Sequence, residues 1–414
     1  MEISSAINKT AAYLHIPVQG YADYTLLVYD RIDLIADQWD GCVDSTNIFL
    51  SATYLKAVEI AGPHDLKHFY CLVIHENKPF LALYCQFKHF NAAESLQLLR
   101  QTGDLPYLEK IKRKALHLVA AKVDFHALVC GNIMVTGEHA YRFCRDSKIF
   151  DEVSFIPDLL QTLQSGLETL GLEVPVIFVK DFYDKRLKDQ NRCFIRAEYK
   201  ELVFQPNMIF HIPKTWRNTK DYLANMKSKY RVRTKRARKF VEGLERREMF
   251  LKDIEEYRER IHALYLEIAH GAEFNLFLLP PDYFSGMKSA LGNCFRIFGY
   301  FDGDDLIGFY SLVINGKEME AHFLGYREED NRAFQLYHNM LIDMVEEAIR
   351  AAVDRIVFAR TALEIKSSVG AVPEDMHCYI RHNYRLYNAA APLIFKALNP
   401  DYDWEQRHPF SDPK

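Results

Sequence analysis

Apolar and polar positions alternate along the chain in two periods, and the same succession of periods occurs twice. In the first half "FLSATYLKAVEIA", Phe49 to Ala61, has helical spacing, and "HFYCLVI" and "FLALYCQF" are β-rich runs joined by the turn "HENKP". In the second half "LLPPDYFSGMKSAL", Leu278 to Leu291, precedes "CFRIFGYF", the turn "DGDD" and "LIGFYSLVI". Leu278, Leu279, Tyr283 and Phe284 fall where Phe49, Leu50, Tyr54 and Leu55 fell. Further on, "FIPDLLQTLQSGLETL" leads into the apolar run "VPVIFVKD", as "AFQLYHNMLIDMVEEAIRAA" leads into "DRIVFART". The later helix carries one wide apolar stripe of Phe334, Leu336, Tyr337, Met340, Leu341, Met344, Val345, Ala348 and Ile349. Each half thus predicts helix, antiparallel hairpin, third strand, helix and fourth strand. The expected fold is mixed α/β in two domains, 1–195 and 196–414, antiparallel in the hairpins and parallel only where the long helix crosses over.

Composition leaves this picture standing. The 414 residues are 49% hydrophobic and 26% charged, which suits two packed cores and excludes disordered or fibrous classes. The eight cysteines are scattered, never as C-x-x-C, so they predict buried thiols and neither a zinc module nor a disulfide scaffold; no metal site is read. The N-terminus lacks a signal-peptide pattern, and no window predicts a membrane span, so a soluble, cytoplasmic chain is expected.

Charge does change the picture. The net charge is −4, yet residues 227 to 239 hold eight Lys or Arg and no acid. Tyr222, Met226, Tyr230, Ala237, Val241 and Leu244 keep helical spacing, which predicts one helix over 220–244 with cations on its other faces. Such a run is either a solvated surface or the contact for an anionic ligand; the missing acids favour the ligand, with Lys229 and Arg231 nearest an interdomain cleft. A nucleic-acid regulator is the weakest reading, because no nucleic-acid-binding motif accompanies the patch and no DNA partner is expected.

Three segments carry a family resemblance. Lys229, Arg231, Arg236, Ala237, Lys239 and Gly243 in the basic stretch, "GYREEDNRAFQLYHNMLIDMVEEAI", and "FARTALEIKSSVGAVP" resemble the tandem GNAT-fold acyltransferases. Within these the chain is most similar to the Fem-type aminoacyl transferases and the bacterial FemAB-like, peptidoglycan biosynthesis/recognition N-acyltransferases. The resemblance implies two GNAT-like domains and transfer of an acyl or aminoacyl group to an amine acceptor. The donor would be a phosphate-bearing co-substrate: acyl-CoA, an acyl carrier or aminoacyl-tRNA. The acceptor would be a small amine or a peptide precursor. The chain departs from the family where a glycine-rich pyrophosphate loop is expected, since Tyr326 to Arg332 contains no glycine. Gly131 and Gly137 in the first half are isolated. The alternative is an inactive module of the same fold that binds a peptidoglycan precursor, an anionic lipid or tRNA.

The chemistry needs an amine to lose a proton and a carbonyl oxygen to be stabilised. In "KEMEAHFLGY" alternation places Glu318, Glu320 and His322 on one face, so Glu320 and His322, with Tyr326, are the candidate catalytic groups; a solvated strand face is the other reading. Gly325, Arg360, Thr361 and Lys366 would flank the donor gap between the third and fourth strands. Thr361 also reads as a helix cap completed by Glu364, and Arg360 as a partner of Glu364.

Overall fold

In a computed structural model of the chain, residues 12–43, 47–91, 123–144, 152–183, 187–272, 275–398 and 403–411 are described. The first half runs β1 (Leu14–Val18), β2 (Tyr21–Tyr29), α1 (Ala36–Asp40), α2 (Ala52–Ala61), β3 (Lys67–His75), β4 (Lys78–Asn91), β5 (Asp124–Cys130) and β6 (Tyr141–Phe143). It continues with α3 (Glu152–Thr169), β7 (Val176–Tyr183), α4 (Leu187–Arg196) and β8 (Lys200–Val203). Then come β9 (Asn207–His211), α5 (Thr219–Asn225), α6 (Ser228–Phe240), β10 (Glu245–Met249), α7 (Leu251–Glu256), α8 (Arg258–Gly271) and α9 (Tyr283–Leu291). The last part holds β11 (Phe295–Asp302), β12 (Asp305–Asn315), β13 (Glu318–Tyr326), α10 (Glu328–Phe334), α11 (Leu336–Arg350) and β14 (Arg355–Val357). It closes with α12 (Leu363–Val369), β15 (Val372–Glu374), β16 (Met376–His382) and α13 (Arg385–Leu398).

Two mixed sheets result. The first is ordered β1-β2-β3-β4-β5-β7-β16-β8, with β6 on β4; the second is β10-β11-β12-β13-β14-β9-β15. Among the described strands only β5 with β7 and β13 with β14 pair in parallel, and each pair is joined through a long helix, as the sequence pattern predicts. Sheet membership does not follow a single cut in the chain. The strand after β8 (β9) inserts between β14 and β15, and the strand after β15 (β16) inserts between β7 and β8. The second sheet is thus built of β9 to β15 alone, whereas the first takes the internal strand β16 from the far end of the chain.

Burial explains why the halves stay together. The α3 face of the first sheet has its own core, around Leu160, Leu163 and Ile177, and the α11 face of the second has another, around Met340, Val345 and Ile356. The two remaining faces share a third core in which Tyr54, Leu55 and Val58 of α2 lie with Tyr283, Phe284 and Met287 of α9. These are the helices that the repeat placed in register. They cross closely: a Cβ at Gly286 would stand 2.5 Å from the Ala61 Cβ. Separated halves would expose this shared apolar layer to water.

Two expectations are corrected. The helix over 220–244 is broken: α5 ends at Asn225, Met226 is extended and bridges Phe410, and the Lys227 amide donates to the Pro409 carbonyl. Met226 turns into the core beside Trp216 and Tyr222, so a strand-like contact with a distant segment overrides helical continuity. The cysteines are not all thiols, since Cys42 and Cys144 form a disulfide 102 residues apart in sequence; Cys71, Cys85, Cys130 and Cys378 are buried and free. Among the described residues no helix is long and apolar enough to cross a membrane.

Candidate active site between the two sheets

β13 and β14 stay together for three residue pairs, ending at Glu320 opposite Val357, and then part. Beyond that point no hydrogen bond among the described residues crosses from 321–326 to 358–362. On its other side β13 carries a bulge, with the register against β12 shifting between Tyr310 and Leu312. His322 and Phe323 share the space opposite Ser311, whose hydroxyl donates to the Phe323 carbonyl (2.8 Å) and accepts from the Phe323 amide (3.0 Å). The bulge breaks the simple alternation read from the sequence.

Glu320 faces a cavity of about 640 Å³ between the halves. One wall is Asn315 to Glu318, Glu320 and Arg355; the other is Gly137 to Arg142 and Lys180 to Tyr183. Glu320 is buried, and among the described residues its carboxyl group has no hydrogen bond or ion pair. Burial, reinforced by the neighbouring Glu318, pushes its pKa well above the usual carboxylate range, with Arg355 opposing weakly. Arg355 is engaged by Glu318 at 2.6 Å and lies over the Tyr183 ring. Glu320 is thus the acid at the parting point that remains available to a ligand.

The opposite wall was not foreseen. Lys180 donates to the carbonyls of Asn132 (2.8 Å) and Val135 (2.9 Å), so its ammonium closes the space where β5 leaves β7. Asp181 is fully buried and accepts from Arg360 (2.7 Å), from the Gly137 amide (3.2 Å) and from Cys378 (3.0 Å). Burial alone would raise its pKa; the charges of Arg360 and Lys180 outweigh that and hold it far below the ordinary range. The run "VPVIFVKD" contained the signal, namely two opposite charges ending a buried strand, and the repeat sets it in the place of "DRIVFART".

The remaining predicted residues scatter. His322 is half-buried beside the bulge, its Nε2 2.5 Å from the Tyr283 hydroxyl, and burial pushes it down to about 3, so it is neutral and faces α9 instead of lining the cavity. Tyr326 lies 6.1 Å from the Tyr337 ring, and burial pushes its hydroxyl up to about 12. Gly325 passes under α8, where a Cβ would stand 2.5 Å from the Leu264 carbonyl carbon. Arg360 pairs with Asp181 and not with Glu364, which holds Arg407. Thr361 is exposed and does not cap α12, whose N-cap is the left-handed Ala362 with no side-chain bond. Lys366 points inward and donates to the carbonyls of Arg360 (2.7 Å) and Ala359 (3.3 Å), and burial pushes it down to about 7. Those bonds brace a segment in which Ala359, Thr361 and Ala362 all have positive φ, a conformation that costs non-glycine residues roughly 1 kcal/mol or more apiece.

Lys229 and Arg231 do not reach the cavity. Lys229 is exposed, and Arg231 donates to the Met226 carbonyl (3.3 Å) at the end of α5. Of the eight cations, Arg238 finds acids on α11, Asp343 at 2.5 Å and Glu346 at 3.5 Å. Arg246 meets Glu347 at 2.7 Å in the same network. The glycine-free loop after β13 is also self-paired, through Arg327 with Asp330 (2.5 Å) and Asp305 (3.2 Å), and Arg332 with Glu328 (3.2 Å).

No family model matches the sequence, and no curated protein matches it. Solved structures are similar in fold. FemX is 12% identical, with 84% of this chain and 94% of that chain covered at a TM-score of 0.49. L-PGS from Bacillus licheniformis is 10% identical, with 84% and 94% covered at 0.46. A tandem GNAT protein from the clavulanic acid biosynthesis pathway is 9% identical, with 85% and 93% covered at 0.45. At such identities and scores the likeness carries nothing about substrate.

Proposed function

We propose that the chain is an N-acyltransferase in which the acyl group enters the gap between β13 and β14 and the acceptor amine occupies the cavity between the sheets. The observation that carries this reading is Glu320, a buried and unpartnered carboxyl group where the gap meets the cavity. A raised pKa suits a base that must take a proton from an ammonium near neutral pH. Glu320 accepts that proton, and the free amine attacks the donor carbonyl. The bond from the carbonyl carbon to the thiol or hydroxyl leaving group then breaks, and the leaving group departs with a proton. The β13 backbone amides that have lost β14 as a partner are the available donors to the carbonyl oxygen. The donor is an acyl-CoA, an acyl carrier or an aminoacyl-tRNA.

A second reading, a binding module without turnover, is favoured by the self-paired arginines of the loop after β13, which leave little charge for a pyrophosphate. The deciding experiment offers acetyl-CoA, longer acyl-CoAs and aminoacyl-tRNA with a mixture of amine acceptors, and follows donor consumption and binding. Transfer by the wild type and a loss of roughly 10²-fold or more in Glu320→Gln, with donor binding retained, supports the enzyme. Binding without donor consumption supports the module.

A further inference from the structure

We propose that Tyr54 is a positioning residue for Glu320: its hydroxyl, carried on a helix of the first half, donates through one water to the Glu320 carboxylate of the second. The role rests on the reading of Glu320 as the base.

The chain entering α2 is tied to the second half. The Ile48 amide donates to the Asn315 side chain (2.7 Å) at the end of β12, and Asn47 and Leu50 line the cavity. Tyr54 sits in the first turn of α2, its amide donating to the Ser51 cap (3.2 Å), and its side chain is buried in the apolar layer shared by the two sheets. Val313, the β12 partner of Glu320, belongs to the same layer. Paired residues of neighbouring strands point to one face of their sheet, so Glu320 is directed toward the side that Tyr54 occupies.

The polarity of the Tyr54 hydroxyl is fixed by Asn132. The Asn132 Oδ1 accepts from the Met134 amide (2.9 Å) and from Gln86 (3.4 Å), which leaves Nδ2 to donate to the Tyr54 oxygen (3.0 Å). Tyr54 therefore offers its one hydrogen elsewhere, and no acceptor among the described residues takes it. Glu320 is the complement, a buried carboxyl group that no described donor meets. Burial raises the Tyr54 pKa above the ordinary phenol range, Asn132 opposes, and the charge of Glu320 adds to the rise, so the two groups act on one another beyond direct hydrogen-bond reach. A water is the bridge that such a pair takes.

The other groups around Glu320 have partners. Glu318 and Arg355 hold one another, Lys180 takes two carbonyls and Asp181 takes Arg360. Glu138, His139, Arg142 and Lys317 complete the titratable lining of the cavity. Tyr183 also lies close enough to feel Glu320, and it accepts from the Asn207 Nδ2 (3.1 Å). The Asn207 Oδ1 is buried without a partner, so that amide can turn and take the Tyr183 hydrogen. Asn132 has no such freedom, because the Met134 amide needs its oxygen.

The test reads the ionisation of Glu320 with no substrate present, from its carboxyl carbon resonance in isotope-labelled protein, recognised by its loss in Glu320→Gln. Removing a donor to the ionised form raises a pKa, so Tyr54→Phe should move the midpoint up by about one pH unit, a roughly tenfold tighter hold on the proton. Asn132→Ala, which frees the hydroxyl to turn, should move it the same way by less, and carries the test if melting shows Tyr54→Phe unfolded. Tyr283→Phe strips a hydroxyl from the same layer, but one spent on His322, and should leave the midpoint in place. Where transfer is followed, the acid limb of kcat/KM should rise with the midpoint. A midpoint unmoved in Tyr54→Phe, moved equally by Tyr283→Phe, or moved by Tyr183→Phe instead, overturns the proposal. Transfer undiminished in Glu320→Gln sinks the function proposed above and the role of Tyr54 with it, whereas an unmoved midpoint with transfer lost in Glu320→Gln sinks the role of Tyr54 alone.

Discussion

Where β5 leaves β7 the last pair is Cys130 with Val179; where β13 leaves β14 it is Glu320 with Val357. The two partings hold equivalent places in a repeated plan, and they are filled in opposite ways. In the first half Lys180 reaches across and takes two carbonyls, closing the gap with a buried charge. In the second no hydrogen bond among the described residues crosses, a carboxyl group waits at the base, and the far strand ends in left-handed residues braced by Lys366. The two are coupled, because Asp181 beside the closed gap holds Arg360 beside the open one. A duplicated fold can thus commit one copy of a gap to cohesion and leave the other for a ligand.

Breaking the coupling should have the largest effect. Asp181→Asn leaves Lys180 and Arg360 as buried cations without their counter-ion, and a loss of about 3–5 kcal/mol in urea unfolding is expected. Adding Arg360→Met should restore part of it, which also guards against a single variant that does not fold. A loss under about 1 kcal/mol would show the two gaps to be independent.

Glu320→Gln sharpens the comparison next. Besides the loss of transfer stated above, it should change stability with pH. The folded pKa of Glu320 is raised above the ordinary 4.5, so the wild type carries no penalty below pH 4.5 and a growing one as pH rises toward the folded pKa. The variant should therefore melt higher than wild type at pH 8, with the gain fading by pH 4. An equal gain at both would detach it from ionisation.

Lys366 should give a smaller, opposite dependence. Its pKa falls from 10.5 to about 7 on folding, so the wild type loses stability as pH drops from 10.5 to 7 and no further below. Melting of Lys366→Met relative to wild type, compared at pH 10, 8 and 6, should shift in favour of the variant between the first and the last. No such drift would mean that the ammonium is not buried. Smallest of all is the reversal of Lys229 and Arg231 to Glu, expected to alter stability by no more than about 0.5 kcal/mol and transfer not at all. A marked fall in transfer would return the basic helix to the site.

The repeat, the hairpins and both crossover helices were legible because burial imposes its period on consecutive residues. Glu320 was placed on a strand of the second half, and it stands on β13. What stayed hidden depends on partners far along the chain. "NMIFH" and "MHCYIRH" read as strands, but nothing local says that they pair in opposite sheets. Arg238 of the basic helix has its acids far along the chain, since Asp343 and Glu346 stand on α11. Arg360 was read as flanking the donor gap, with Glu364 as the alternative partner, whereas it pairs with Asp181, 179 residues away. His322 was set on the cavity face by strict alternation, which the bulge at Ser311 interrupts.

The late strand β16 also governs the order in which the protein can be finished. As the chain leaves the ribosome, β7 and β8 are complete long before β16, which must slide between them. Until His382 has emerged, β7 presents an open edge of unpaired amides and carbonyls, the kind of edge that recruits foreign strands. The earliest-made sheet is thus among the last parts to close, and a messenger cut short within the second half yields an incomplete first half as well.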